Sequence, residues 1–176
     1  MNLLRLSIFV IIATIIAISA FYKFKERSMN HFTETKSKFF VGVGAIFIKN
    51  GEVLTVFRTK TEKNSQKHGL IGGLVKAGES LRQAAMREIF EEIGVTVKPE
   101  NLRLIHTMSV RENCEETVGH YFLIDSWDGE PFNKATDKHD YIEWIDLDQL
   151  PDTLIPRNRQ AIENMFEEIS YSEYGF

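Results

Sequence analysis

Ser80 with Gln83 three positions on, a run from Leu81 to Ile93 free of glycine and proline, and Gly94 directly after it delimit one helix. Serine and glutamine at that spacing form a capping box, and a glycine just past the last apolar residue is a helix stop. At about 100° per residue, two stripes separate on this helix. Ala85, Met86, Ile89, Phe90 and Ile93 gather on one side, and Glu88, Glu91 and Glu92 on the adjoining one. The apolar stripe requires another layer to pack against, so the chain must build a core around this helix. The acidic stripe has a cost, because carboxylates at i, i+3 and i+4 repel one another unless a cation or a basic partner neutralises them. Arg87 reaches Glu91 at i+4, but one guanidinium does not balance three carboxylates. Oxygen ligands with spare water positions suit Mg²⁺ or Mn²⁺, ions that bridge to phosphates. A solvated acidic face is the alternative reading of the same three residues.

The elements around this helix suggest what it packs on. Phe39 to Ile48 and Val53 to Phe57 read as strands joined by a tight turn at Asn50-Gly51. Arg58 to Lys67 is a polar, basic loop that ends in His68-Gly69-Leu70-Ile71-Gly72-Gly73. Further strands are predicted at Leu102 to Val110, Val118 to Asp125 and Tyr141 to Ile145, with Asp128-Gly129 as a turn. Pro151 and Pro156 bracket a loop, and a last amphipathic helix runs from about Arg157 to Ile169. Strands outnumber helices, so an α+β domain with a mixed sheet is expected.

The chain has 176 residues, room for one medium domain. Its charge is divided unevenly: residues 1–28 hold four basic side chains and one acidic, so a formal total of -4 leaves -7 on the remainder. A body that acidic is a poor match for bare nucleic acid, which requires clustered Lys and Arg. In the head, Leu6 to Tyr22 carries no charge and no helix breaker, with Arg5 before it and Lys23, Lys25 and Arg27 after it. At about 1.5 Å per residue this almost spans a hydrocarbon core, and the basic flank puts the body on the cytoplasmic side. Residues 1–28 are therefore expected to be a membrane anchor, through residues 6–22, with 29–38 as linker and 39–176 as the domain. Two alternatives stay open: a signal peptide cut near Ala17-Ile18-Ser19, and a cytoplasmic product that begins at Met29. The single cysteine, Cys114, excludes an intrachain disulfide, and its acidic neighbours make it a poor nucleophile.

Upstream of the helix, Gly72, Gly73 and Gly78 let backbone approach a ligand closely, and Glu79, outside the helical wheel, can bend back towards the acidic cluster. Together these residues carry a resemblance. Gly73, then Glu79 after five residues, Arg87-Glu88-Ile89 after seven, and Glu91-Glu92 and Gly94-Val95 each after one more resembles without a gap the signature of the Nudix hydrolases, the MutT-like family. It extends more loosely over residues 38 to 170 and leaves out the head. The resemblance implies the Nudix fold, a mixed β-sheet sandwiched between helices, here preceded by a single apolar helix, and hydrolysis of a nucleoside diphosphate linked to another group. It implies Glu91 and Glu92 as metal ligands, Glu88 as ligand or general base, Glu79 as a supporting carboxylate, Arg87 as their orienting partner and the Gly72 carbonyl as a further ligand. Ile71 departs from the proline that many members carry there.

Substrate identity lies outside that signature. Asn158, at the start of the last helix, can pair with a purine edge, helix capping being its other use. Arg58, with Lys60, Lys63 and Lys67, can hold phosphates, and Phe57, Tyr121 and Trp144 are candidates to stack on a base or to fill the core. Glu115, Glu116, Asp137 and Asp140 are candidates for a further carboxylate, and His68 for a phosphate contact or a solvated loop position. The expected activity is metal-dependent attack of water on phosphorus in a small nucleotide substrate. Two readings compete with it: a nucleotide sensor without turnover, and a membrane-anchored acidic module that docks a basic partner.

Overall fold

The computed structural model describes residues 14–25, 39–60 and 64–176, and the chain divides into two compact units, Met1–Lys38 and Phe39–Phe176. In the first unit, residues 14–25 form helix α1, with Ile15, Ile16, Ile18, Phe21, Tyr22 and Phe24 exposed. The expected membrane span at 6–22 lies partly outside the described residues, and among those described no helix is long and apolar enough to cross a membrane. Twelve helical residues reach about 18 Å, against a hydrocarbon core of about 30 Å. The linker at 29–38 also lies outside the described residues.

The second unit is built on strand β1, Phe39–Lys49. The Asn50-Gly51 turn, with φ of 55° and 83°, returns the chain into β2, Glu52–Arg58, as the Asn-Gly pair predicts. Two short strands follow, β3 (His68–Gly69) and β4 (Ile71–Leu74). Helix α2, Leu81–Ile93, comes next, then β5 (Leu102–Glu112), β6 (Glu115–Ile124), β7 (His139–Asp146), α3 (Pro156–Phe166) and β8 (Tyr171–Tyr174). β1 runs parallel to β6 and antiparallel to β4, β5 is antiparallel to β6 and parallel to β8, and β2 carries β3 and β7 on its two sides. The sheet is therefore mixed, as expected.

Alternation along β1 separates two cores. Val43, Ala45 and Phe47 pack with Ala84, Ala85, Ile89 and Ile93 of α2, and Ile46 on the opposite face packs in the cluster that holds Ala161 and Ile162 of α3. Fully burying a side chain such as Ile89 or Ile93 contributes about 1.5–3 kcal/mol, and these two residues hold α2 to the sheet. The capped helix has the expected bounds: Ser80 accepts from the Gln83 N–H, and Gly94 closes it at φ 73°. Phe90 departs from the expected core stripe, because it is half exposed with the Lys134 ammonium over its ring.

Three strands and one turn escape the sequence reading. β3 and β4 occupy a stretch read as loop, and β5 and β6 meet in a two-residue turn at Asn113-Cys114, both with positive φ. Cys114 is exposed there, an ordinary turn thiol. The last helix ends at Phe166 rather than near Ile169, and Pro156 is inside it. β8 then pairs with β5, anchored by buried His106, whose ring nitrogens meet Ile169 O at 2.7 Å and Ser172 Oγ at 2.9 Å.

Candidate active site

β4 brings Gly72 and Gly73 opposite Gly44 and Val43 of β1. The loop behind it is pinned where the Val75 N–H meets Val41 O at 2.9 Å, and it turns at Gly78 with φ 85° before the Ser80 cap. That short path sets Glu79 beside the second turn of α2. Ile71, at the position where many Nudix members carry proline, is fully buried and pairs with Ala45, so strand pairing and core packing stiffen this stretch.

One guanidinium organises the acidic cluster. Arg87 Nε and Nη2 meet the two oxygens of Glu79 at 2.6 and 2.9 Å, Nη1 meets Glu88 at 2.5 Å and Glu91 at 3.3 Å, and Nη2 meets Leu74 O at 3.0 Å. Two parallel bonds to one carboxylate are the strong geometry for arginine. They hold the Glu79 carboxyl down at about 2, helped by the Lys76 N–H, and the Glu79 and Glu88 carboxylates in turn raise the guanidinium above its ordinary value.

Two of the three glutamates of α2 are buried rather than part of a solvated face. Glu88 is 6% exposed and Glu92 3%, whereas the Glu91 side chain is 43% exposed at the rim with Lys76 at 3.7 Å. Glu88 lies against Gly73 so closely that a Cβ there would overlap its carboxylate. Glu92 Oε2 accepts the Gly72 N–H at 3.1 Å, and its Oε1 is 3.4 Å from His139 Nε2. Among the described residues no three His, Cys, Asp or Glu side chains already converge as a metal cage, because each carboxylate is drawn to a protein donor. The donor set still suits a hard divalent cation: it offers oxygen only, on one helix edge, facing glycines that leave room for close approach.

Next to this cluster opens a cleft of about 340 Å³, at the low end for small-molecule sites, lined in part by Gly72 and Gly73. Arg58 and Asn158 both line it, so two candidate substrate contacts and the glycine turn share one space. Asn158 is buried inside α3, where Ile155 is the N-cap, so it does not serve as the capping residue. Of the three candidate stacking aromatics, only Tyr121 lines the cleft; burial lifts its hydroxyl to about 12, and its ring leaves no room for a Cβ at Gly44. Phe57 instead stacks on Tyr141 at 4.8 Å, and Trp144 on Trp127 at 6.2 Å. Glu115 lines the cleft, whereas Glu116 pairs with Arg111, and Asp137 and Asp140 are exposed elsewhere. His68 is neither solvated nor in the cleft: it is buried between Thr153 Oγ1 at 2.8 Å and Glu143 at 3.1 Å.

Two cleft residues carried no sequence signal. Arg157, at the start of α3, bonds Glu112, at the end of β5, at 2.5 Å. They are 45 positions apart, and only the fold brings them together.

Comparison with known proteins gives the NUDIX domain family over residues 38–165. The chain is 26% identical over 125 residues to an 8-oxo-dGTP diphosphatase of Escherichia coli (strain K12), covering 71% of this chain and 94% of that protein. It is 32% identical over 114 residues to an ADP-ribose pyrophosphatase of Methanocaldococcus jannaschii, covering 63% and 64%. Among solved structures, a MutT NUDIX hydrolase from Burkholderia pseudomallei superposes with a TM-score of 0.67 at 30% identity, covering 72% of this chain and 98% of that one.

Proposed function

The chain belongs to the NUDIX domain family and is a hydrolase acting on phosphoanhydride bonds; from that premise we propose that it is a metal-dependent pyrophosphohydrolase of purine nucleoside triphosphates. Glu88, Glu91 and Glu92, with the Gly72 carbonyl, hold the cation, Mg²⁺ or Mn²⁺. The observation that carries this reading is the burial of Glu88 and Glu92 against Gly73 and Gly72; these two glycines line the cleft, and the glutamates themselves do not. Burying two carboxylates on one helix is costly, and a solvated face or a docking patch has no use for it.

A bound divalent cation neutralises charge on the phosphoryl group and favours deprotonation of the attacking water. The chain's own residues do the rest. Arg87 orients Glu88 and Glu91 while its fork to Glu79 keeps it in place. Glu88 is the general base that accepts the proton of the water attacking phosphorus. Arg58 faces the phosphates from the cleft wall, and Asn158 offers an amide donor and acceptor to the purine edge. The 8-oxo-dGTP diphosphatase relative supports a purine triphosphate ahead of other nucleotide derivatives.

A panel of nucleotides assayed with Mg²⁺ or Mn²⁺, beside Glu88→Gln and Glu92→Gln, tests the proposal. Turnover of a purine triphosphate that requires metal and collapses in both variants supports it. Nucleotide that binds and is never hydrolysed refutes it and leaves a sensor. Membrane attachment through residues 6–22 is a separate part of the proposal, resting on the uncharged run and its basic flank. Recovery of the intact product in the washed membrane fraction supports it, and recovery in the supernatant refutes it.

A further inference from the structure

Three buried side-chain atoms among the described residues have no hydrogen-bond partner: Asn133 Oδ1 and both ring nitrogens of His139. Native proteins hold few such atoms, because each costs roughly 1–3 kcal/mol. These three lie together in a segment that wraps the end of α2. The Phe132 N–H bonds Ile93 O at 3.1 Å, the Lys134 N–H bonds Glu92 O at 3.0 Å, and Asn133 Nδ2 bonds His139 O at 2.8 Å. The backbone of the segment is thus tied to the residues that carry the acidic cluster, and His139 itself is 1% exposed.

Its Nε2 stands 3.4 Å from Glu92 Oε1, within ion-pair reach and just outside hydrogen-bond geometry, while Glu92 Oε2 accepts the Gly72 N–H. Glu92 therefore lies between one donor already engaged on the cleft side and one ring nitrogen behind it. An apolar side chain would fill the His139 position without the desolvation cost of an imidazole. Resting on the function proposed above, we propose that His139 is the positioning residue of Glu92. With its proton on Nε2, the ring closes onto Oε1 from ion-pair distance, so the carboxylate is held at both oxygens and keeps its orientation when a cation draws on it. His139 does not line the cleft; it acts through Glu92. Partners that orient a metal-binding carboxylate in this way are worth roughly 10–100-fold in metal affinity or activity.

The test measures Mn²⁺ binding to the full chain by electron paramagnetic resonance, without nucleotide, in wild type, His139→Leu and His139→Gln. Leucine keeps bulk and removes the donor, whereas glutamine keeps a donor. The expected result is binding weakened roughly 10–100-fold in His139→Leu and largely retained in His139→Gln. His139→Leu that binds Mn²⁺ like wild type, or His139→Gln that binds as poorly as His139→Leu, overturns the inference. A measurement on wild type alone covers the case in which the variants do not fold. Nitrogen-15 spectra of the imidazole are expected to show a proton on Nε2, and a proton on Nδ1 alone overturns the inference. Wild type that neither binds Mn²⁺ nor hydrolyses any nucleotide overturns the underlying function instead, and is distinguishable from a wild type that does both while His139→Leu is unchanged.

Discussion

Gly73→Ala adds one methyl group against the Glu88 carboxylate, the proposed general base. A Cβ on residue 73 would stand 2.5 Å from Glu88 Cδ and 2.8 Å from its Oε2, where ordinary contact begins near 3.4 Å. The carboxylate must retreat by roughly 1 Å to restore contact distances, and Arg87, bonded to Glu88 at 2.5 Å, limits where it can go. A displacement of about 1 Å in a reacting group costs about 10²-fold in rate, or about 2.7 kcal/mol in the barrier. Gly73 does not have positive φ, so alanine suits its backbone, and a compatible Gly→Ala change even tends to stabilise by about 0.4–1 kcal/mol. The expected outcome is kcat lowered about 100-fold with KM and thermal midpoint little changed, read from steady-state kinetics beside calorimetry. Adding Glu88→Asp, which shortens the side chain, makes the two effects less than additive, because they act on one contact. A folded Gly73→Ala with kcat within about threefold of wild type refutes the reasoning, since an active carboxylate would then tolerate the displacement.

Gly72→Ala is expected to fail differently, because its Cβ would overlap Val43 O, which is backbone and cannot swing away; calorimetry should show about 1–3 kcal/mol of lost stability. Arg87→Lys removes the fork to Glu79 and leaves one ammonium for several acceptors, so kcat should fall roughly 10–100-fold with the fold intact by circular dichroism. Glu79, held near 2 against an ordinary 4.5, contributes stability that is present above pH 4.5 and is lost as pH falls through about 2. Glu79→Gln should therefore flatten the acid limb of the stability profile between those values, as followed by denaturant titration. Asn158→Ala should raise KM for purine nucleotides about 10–100-fold, the equivalent of about 1–3 kcal/mol of lost base discrimination, with kcat nearly unchanged.

What could be read before the structure was whatever is encoded locally. The capping box and Gly94 fix α2 because both signals act within one turn of the helix they bound, and Asn50-Gly51 fixes its hairpin for the same reason. The helical wheel separates the acidic stripe from the apolar one, but exposure depends on what covers each residue. β4 and the segment 132–139 cover Glu88 and Glu92, whereas Phe90 meets the Lys134 ammonium of that segment and stays half exposed. β3 and β4, of two and four residues, are strands only because β2 and β1 pair with them, and β8 exists through β5 and His106. Asn113-Cys114 lacks the glycine that marks such turns. Of the candidate site, the gathering of Glu79 and Arg87 with the helix glutamates was legible from their spacing, whereas their roles were implied only by the family resemblance. The Arg157–Glu112 pair and His139 were not legible, because contacts between residues remote in sequence leave no periodic signal.

In the proposed reaction Glu88, set over Gly73, takes the proton of the attacking water beside a bound cation. Single-turnover hydrolysis of a purine nucleoside triphosphate in saturating Mg²⁺, comparing wild type with Glu88→Gln, tests it most directly. Wild type is expected to turn over only with the metal present, and Glu88→Gln to bind the nucleotide but to be slower by about 10²–10⁴-fold, the usual contribution of a general base. Equal rates in the two proteins, or hydrolysis that persists when Mg²⁺ is chelated, would contradict it.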